Sequence, residues 1–595
     1  MESADHSQQA YKLRHLLIAV FGLFAILGLR LFYLQVTTSA DYARESEDNR
    51  IARKRIKAPR GLILARGDEI LARNAAFYTV SINRCLRRDF DAAVAALEEA
   101  TGAKIAPQYN KKGPWPIHLK RDVDFRTVSV VEERLKDDWP LDIEIQMKRA
   151  YPMNALAAHL LGYMGELRAD DPRLLGPRNY ARGDYFGKTG IEKVYEDHLR
   201  GEDGWRFVEV DAKRRERRQF PELEQPAVPG RNLQLTIDLN VQRTAEEALP
   251  DSLGGCVVAL DAQSGAVLAL ASKPSFDLNI FVSFQHQEER KRVLQRADKP
   301  LLNRAISGTY PPGSTLKMVA AIAALETGIS DTLSTFEACA GSLQVGDTTF
   351  HCFKRDGHGE LNLMQALEAS CNIYFFHMAQ IMSIETWGAY AARFGFGQIT
   401  GIDMDPGKEK EGLLPSRQYF AETEGWAQGH LLNLVIGQGS MLATPLQMAR
   451  YVAILGNGGY LVTPHLYGDP PQRRPVEDIS TASLEIVKQA MRRVIYGEHG
   501  TGRRVRVAGV EVAGKSGTAQ KSRSGDDAWF VAFAPYEHPS IAVAVVVEGG
   551  GGGGSVAGPI ARQVIEAHFA GAAKTAAPRA ISPTELATHE ADPRN

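Results

Sequence analysis

Little in this chain marks it at first sight. Net charge is nearly absent: 70 basic against 71 acidic residues leave −1 at neutral pH, so no global field draws in nucleic acid or an acidic lipid surface. Any specificity has to be local. Cysteine is scarce and odd in number, five in 595 residues, which excludes a disulfide-built scaffold. Only one strongly apolar run is present, over residues 16–36, so no later segment returns the chain across a membrane. The composition, 44% apolar and 24% charged, excludes a disordered protein, and the length exceeds one ordinary core, so two or more extramembrane domains are expected.

The apolar run LLIAVFGLFAILGLRLFYLQV follows Lys12, Arg14 and His15 and is long enough to cross a bilayer. Residues 1–15 then form a cytoplasmic tail, 16–36 an anchor, and the rest is exported. A cleaved signal peptide is the alternative, with small residues at Thr38, Ser39 and Ala40. Residues 37–230 mix strand-like runs such as FYTVSI with charged helical stretches such as VVEERLKDDW and show no cluster of acid, base and nucleophile. KRRERR at 213–218, with three prolines before Gly230, reads as a solvated linker or hairpin at a domain boundary. From residue 231 to about 570 apolar helices alternate with compact strands, a mixed α/β (α+β) pattern. Residues 257–272 read as two strands joined at Gln263, Ser264 and Gly265, and WFVAFA and IAVAVVVE as an antiparallel hairpin in a buried sheet. Gly549 to Gly554 end that hairpin in a flexible turn, and residues 571–595 read as a disordered tail.

Three short motifs in the second domain carry chemistry together. In TYPPGSTLKMVAAIAALETG, Pro312 and Gly313 break the chain and Ser314 begins an apolar helix, which puts Ser314 and Lys317 on one face, about 5–6 Å apart at Cβ. A serine hydroxyl needs a base, and a lysine neutralised by burial can supply one. Ser370-Cys371-Asn372 lies between two helical stretches and offers a hydroxyl to relay a proton and an amide that both donates and accepts. Lys515-Ser516-Gly517-Thr518 sits on a strand before the final hairpin; a bare Gly517 would admit substrate to the strand edge, and Lys515 would meet a terminal carboxylate. Each alone is as readily a helix cap, a turn or a strand end. Their ordered combination is the signal.

A second constellation lies close by. Cys339, Cys352, His358 and Cys371, spaced 13, 6 and 13 residues apart, supply three sulfurs and an imidazole, a complete tetrahedral zinc set with no open position for a catalytic water. A disulfide with one leftover thiol, or three buried free thiols, are the alternatives.

The three motifs in this order are the pattern of serine β-lactamases and penicillin-binding proteins. Around them NRAISGTYPPGSTLKMVAAIAALETG, GHGELNLMQALEASCNIYFF, FGFGQITGID and IGQGSMLATPLQMA resemble the elongation-specific class B penicillin-binding proteins, the penicillin-binding protein 2 group. APRGLILARGDEILARN and GKTGIEKVYEDHLRG resemble that group's non-catalytic pedestal, so the likeness runs over roughly residues 30–565. One departure is Ala65, where the group usually has aspartate; it puts local pairing in the pedestal in doubt.

The resemblance implies a transpeptidase domain of the penicillin-binding, serine β-lactamase-like fold over 231–570, a pedestal over 37–230 and one transmembrane helix. It implies that Ser314 attacks the D-Ala-D-Ala carbonyl of a peptidoglycan stem peptide, that D-Ala leaves, and that an amine of a second stem resolves the acyl-enzyme. Lys317 would be the general base, Ser370 and Asn372 would shuttle the proton and orient the substrate amide, and Lys515, Ser516 and Thr518 would hold the carboxylate. The N–H groups of Ser314 and Thr518 would form the oxyanion hole, and β-lactams would acylate the same serine. Some members of the group carry a metal site in this region, and the Cys352–His358 and His358–Cys371 spacings match it, with Cys339 or Glu337 completing one structural zinc per chain. The implied setting is the bacterial inner membrane, single-pass, with the catalytic domain in the periplasm beside a glycosyltransferase of the shape, elongation, division and sporulation family and a periplasmic shape-determining protein. Rivals on the same fold are a β-lactamase, a D,D-carboxypeptidase, a drug sensor and an idle scaffold.

Overall fold

The computed structural model describes residues 2–38, 50–83, 85–102, 104–105, 116–134, 140–167, 170–176, 180–181, 183–210, 216–283, 285–521 and 525–576. The expected linker residues 213–215, the end of VVEERLKDDW and most of the expected disordered tail lie outside these. Helix α1 (Glu2–Phe32) runs on through a π-helical turn at Tyr33–Thr37, and its apolar stretch, Leu13–Thr37, holds 25 residues, none of them buried. At 1.5 Å per residue that is about 37 Å, more than the ~30 Å hydrocarbon core of a bilayer.

The chain divides into two compact units, and residues 229–230 are only one of the places where it crosses between them. The first comprises 1–59, 76–147 and 201–229; the second comprises 60–75, 148–200 and 230–595. In the first unit β1 (Ile51–Ile56) pairs antiparallel with Gly204–Val210, which pairs in turn with Glu216–Gln219, so the hairpin reading fits the described part of KRRERR. A small core of Val80, Ile82, Phe90, Leu97, Leu119, Val123, Val128 and Val131 joins the strands over 78–82 and 117–123 to the helices Arg87–Thr101 and Phe125–Arg134.

The second unit takes in most of both pedestal-like segments. Glu192, fully buried, receives Arg149 Nε at 2.5 Å and Arg60 Nε at 2.7 Å, while Arg60 also reaches Glu196 at 2.8 Å. Burying one carboxylate between two guanidinium groups is tolerable only with such pairing, and it fastens three chain segments to one point. Tyr151, Leu160, Leu161 and Ile191 share a continuous apolar core with Phe276, Met318 and Val452. Pairing continues up to Ala65, but across a bulge: Ile63 pairs with Ala72 and Leu64 with Ile70, with a register shift between them, and Ala65 N–H donates to Glu69 O at 2.9 Å.

The heart of this unit is a five-stranded antiparallel sheet. Its strands are β2 (Gly255–Leu260), β3 (Val267–Lys273), β4 (Ala513–Ala519), β5 (Asp527–Ala534) and β6 (Ile541–Val547), in the order β3-β2-β6-β5-β4. The two predicted strand pairs are both present. β5 and β6 are buried at every residue because each face of the sheet is covered, which is why they read as continuous apolar runs instead of alternating ones. Cys256, Val258 and Leu260 face a core that includes the helix Pro445–Gly456, while Val257 and Ala259 face one that includes the C-terminal helix Ala557–Ala576. That helix continues to Ala576, so the tail expected from 571 is helical for its first six residues. A helix accommodates Gly571, Ala572, Ala573, Lys574, Thr575 and Ala576 because alanine dominates the turn.

Candidate active site

Ser314 does not open an α-helix as the pattern suggests. Gly313–Leu316 form a 3₁₀ turn, and α2 (Lys317–Glu326) follows it. Gly313 takes φ +59°, and its N–H donates to Gly437 O at 2.8 Å, so the turn is set by backbone geometry open to glycine. In 3₁₀ geometry residues i and i+3 eclipse, which aligns Ser314 with Lys317 more closely than an α-turn does. Lys317 is fully buried, and its Nζ donates to Ser370 O at 2.7 Å, Asn372 Oδ1 at 2.8 Å and Ser370 Oγ at 3.4 Å.

Ser370 sits in an unusual place. Helix α3 (Leu363–Glu368) ends in a Schellman turn: Cys371 N–H donates to Ala366 O at 2.9 Å and Ser370 N–H to Leu367 O at 3.2 Å. The left-handed residue of that turn is ordinarily glycine, yet here it is Ser370, at φ +55°. The strained backbone aims its hydroxyl between two buried lysines, because Lys515 Nζ donates to Ser370 Oγ at 2.8 Å as well as to Ser516 O at 2.9 Å. Asn372 starts the next helix, α4 (Asn372–Ile381).

Lys515 to Thr518 lie on the edge strand β4. Gly517 also has a packing reason to be bare. A Cβ there would lie 2.9 Å from Thr315 Cγ2 and 3.1 Å from Pro312 O, so the bare backbone lets the strand press against the serine turn. Thr518 lies on the same turn: its carbonyl oxygen and amide nitrogen are 2.9 and 3.3 Å from where a Gly313 Cβ would stand. The six-glycine run is not a loose turn. A Cβ on Gly553 would come 2.1 Å from Gly517 O and 2.2 Å from Trp529 O, and Gly553 N–H donates to Thr518 Oγ1 at 3.4 Å. Gln438, from the quoted IGQGSM segment, donates to Thr518 O at 3.1 Å.

Burial governs the charges. It pushes Lys317 down from 10.5 to about 8, partly offset by the neighbouring thiols of Cys371, Cys352 and Cys339. Lys515 is held well below its ordinary value, first by burial and then by the positive Lys317. A lysine brought near neutrality beside a serine is a base poised for proton abstraction.

Cys339, Cys352, His358 and Cys371 bring their donor atoms within 4.8 Å of one another. His358 Nδ1 lies 3.6 Å from Cys339 Sγ and 3.5 Å from Cys352 Sγ. A tetrahedral zinc with bonds of about 2.0–2.3 Å sets its ligands roughly 3.3–3.8 Å apart, so these spacings fit it. Cys339, not the exposed Glu337, is the fourth member, held there by its backbone bridge to Gly359. All five thiols are free, so no disulfide forms. The hydrogen bond from Cys371 draws the Cys352 thiol down, and the same contact with burial pushes Cys371 up. Asn372 N–H also donates to Cys352 Sγ at 3.4 Å, which ties the cluster to the catalytic loop.

Against known proteins, residues 255–566 match the penicillin binding protein transpeptidase domain, and residues 55–235 match the penicillin-binding protein dimerisation domain. The chain belongs to the class B penicillin-binding proteins of the elongation-specific group. Peptidoglycan D,D-transpeptidase MrdA of Haemophilus influenzae is 34% identical to it over 597 residues, 93% of this chain and 91% of that protein. The penicillin-binding protein PBP2 of Helicobacter pylori, solved in complex with MreC, superposes with a TM-score of 0.79 at 28% identity, covering 88% of this chain and 99% of that one. A chain from a peptidoglycan synthase complex that coordinates polymerisation and crosslinking superposes with a TM-score of 0.72 at 30% identity, over 93% and 98%.

The predicted site residues of this class B penicillin-binding protein converge: Lys317, Ser370, Asn372 and the turn that carries Ser314 gather along Lys515 to Thr518 of β4. Sequence reasoning missed Thr501, whose Oγ1 lies 2.7 Å from Ser516 Oγ, and Glu368, whose contacts are described below. Neither belongs to a motif. For Glu368 the only signal is a charged residue inside an otherwise apolar helix end.

Proposed function

We propose that this chain is the peptidoglycan D,D-transpeptidase of cell elongation, working through a Ser314 acyl-enzyme. The observation that carries the reading is the continuous network Lys317–Ser370–Lys515, with Asn372 on Lys317, beside the Ser314 turn. Neutral Lys317 takes the proton of Ser314 Oγ as the oxygen bonds to the penultimate D-Ala carbonyl carbon. Negative charge on the carbonyl oxygen is met by the N–H groups of Ser314 and Thr518, each such donor contributing about 3–4 kcal/mol to a transition state of this kind. The C–N bond then breaks, and the departing D-Ala nitrogen takes a proton passed from Lys317 through Ser370 Oγ. An amine from a second stem attacks the ester by the same path in reverse. Lys515, Ser516 and Thr518 receive the donor's terminal carboxylate, and Asn372 orients its amide. A β-lactam enters the first step and stays on Ser314.

Cys339, Cys352, His358 and Cys371 would hold a zinc ion. With four protein donors it would supply no reactive water, only a fixed position for Cys371 between Ser370 and Asn372. The apolar helix would anchor the chain in the inner membrane with both units in the periplasm. MreC in the Helicobacter complex and the crosslinking synthase complex support a shape-determining protein and a membrane glycosyltransferase as partners.

The test is a product assay with purified chain, a pentapeptide-bearing glycan donor and a stem-peptide amine acceptor. Cross-linked dimer detected by mass spectrometry, and absent with Ser314→Ala, supports the transpeptidase. Trimmed tetrapeptide alone would make the enzyme a D,D-carboxypeptidase, and acylation by penicillin without either product would make it a drug sensor. No product and no acylation would leave a scaffold.

A further inference from the structure

Glu368 is the last residue of α3, two positions before Ser370, and only 2% of its surface is exposed. Its two oxygens are used by one stretch of chain. Oε2 accepts from Arg493 Nε at 2.7 Å, at the end of the helix Thr481–Tyr496, and Oε1 accepts from His499 N–H at 2.9 Å in the turn that follows. The turn is drawn tightly onto the carboxylate: a Cβ on Gly497 would stand 2.3 Å from Glu368 Oε1. Two residues beyond His499, Thr501 brings Oγ1 to 2.7 Å from Ser516 Oγ, and a Cβ on Gly554 would meet Thr501 O at 2.2 Å on the other side. Thr501 is therefore fixed from both directions.

Direction of donation follows from chemistry. A carboxylate accepts only, so for Ser516 to bind one its hydroxyl proton must point at the substrate. Its oxygen is then left to accept from Thr501. Without that donor the Ser516 hydroxyl is free to rotate and to donate elsewhere, for instance to a backbone carbonyl.

We propose that Glu368 and Thr501 form a positioning pair: the Glu368 carboxylate holds the 497–501 turn, and the Thr501 hydroxyl orients that of Ser516 toward the substrate's carboxylate. Neither is a catalytic residue. The pair links the Ser370 turn to the carboxylate-binding strand through a single buried acid, and it rests on the reading of Ser516 as a carboxylate donor.

The test is a double-mutant cycle on the full-length chain, read as the half-saturating concentration and the limiting rate of acylation by a fluorescent penicillin, which carries the relevant carboxylate. Thr501→Val should raise the half-saturating concentration about tenfold and leave the limiting rate within roughly threefold, because binding and not chemistry is lost. Thr501→Ser should restore it. Glu368→Ala should act in the same direction, and the double variant Glu368→Ala/Thr501→Val should be no worse than the poorer single one. If Glu368→Ala does not fold, Glu368→Gln, which can accept at only one of the two positions, takes its place in the cycle. Additive effects, or a Thr501→Val protein with unchanged constants, overturn the proposal. Ser516→Ala run alongside separates the two failures: unchanged saturation there means that the carboxylate reading itself is wrong, whereas weakened saturation there with silent Thr501→Val condemns only the pair.

Discussion

Replacing Ser370 by glycine and by alanine should give stabilities in the reverse of the usual helical order. At φ +55° an L-residue bears about 1–2 kcal/mol of left-handed strain that glycine escapes. Against this, glycine loses about 0.5–1 kcal/mol more chain entropy on folding than alanine. Both variants lack the hydroxyl, so the loss of its contacts to Lys515 and Lys317 cancels in the comparison. Ser370→Gly should therefore be more stable than Ser370→Ala by about 0.5–1 kcal/mol, where an ordinary helical site would favour alanine by about 1 kcal/mol. At about 2.1 cal/mol/K of unfolding entropy per residue, that is a difference of only about 0.5–1 °C in thermal midpoint for a unit this large, measurable in replicate scans on purified protein in detergent. Both variants should acylate at least about 100-fold more slowly, since each lacks the group that passes the proton. Alanine equal to or better than glycine would show that the turn is not strained. Undiminished acylation by the glycine variant would remove Ser370 from the proton path.

Lys317 is a base only when neutral, so the acylation rate should climb nearly tenfold per pH unit up to about 8 and level off above it; a flat profile from about pH 6 to 9 contradicts this. Because its folded value lies below 10.5, the unfolded chain binds more protons between about 8 and 10.5, and the contribution of this group to stability improves as pH rises through that window. His358→Ala should reduce zinc from about one per chain to none by elemental analysis, and should lower the thermal midpoint and slow acylation together; wild-type protein purified without metal and without loss of either property would refute the zinc site. Gly553→Ala drives a methyl group into Gly517 O and Trp529 O and should slow acylation at least about tenfold, while Gly551→Ala, in open space, should cost only about 1 kcal/mol of left-handed strain and leave the rate intact. Equal rates in the two glycine variants would show that the run does not brace the strand.

The sheet was legible because its inner strands are buried on both faces and so appear as unbroken apolar runs, and the motifs were legible because acyl transfer needs fixed residue types at short spacing. Three features were not. The second unit takes in 60–75 and 148–200 through Glu192 and a shared core, and a buried carboxylate between two distant arginines leaves no local trace. The glycine run reads as flexible because composition reports conformational freedom and not the close backbone approach that Gly553 makes. Glu368 and Thr501 act across 133 residues of sequence, and nothing near either position announces the other. The metal cluster stands between these cases, since its residue types were visible but its choice of Cys339 over Glu337 came from a backbone bridge.

The central claim is that Ser314 is the nucleophile. Wild-type chain incubated with a labelled penicillin, digested and mapped by peptide mass spectrometry should carry the adduct on the peptide bearing Ser314, and folded Ser314→Ala protein should carry none. An adduct on any other serine, or one that persists in the Ser314→Ala protein, would contradict the account.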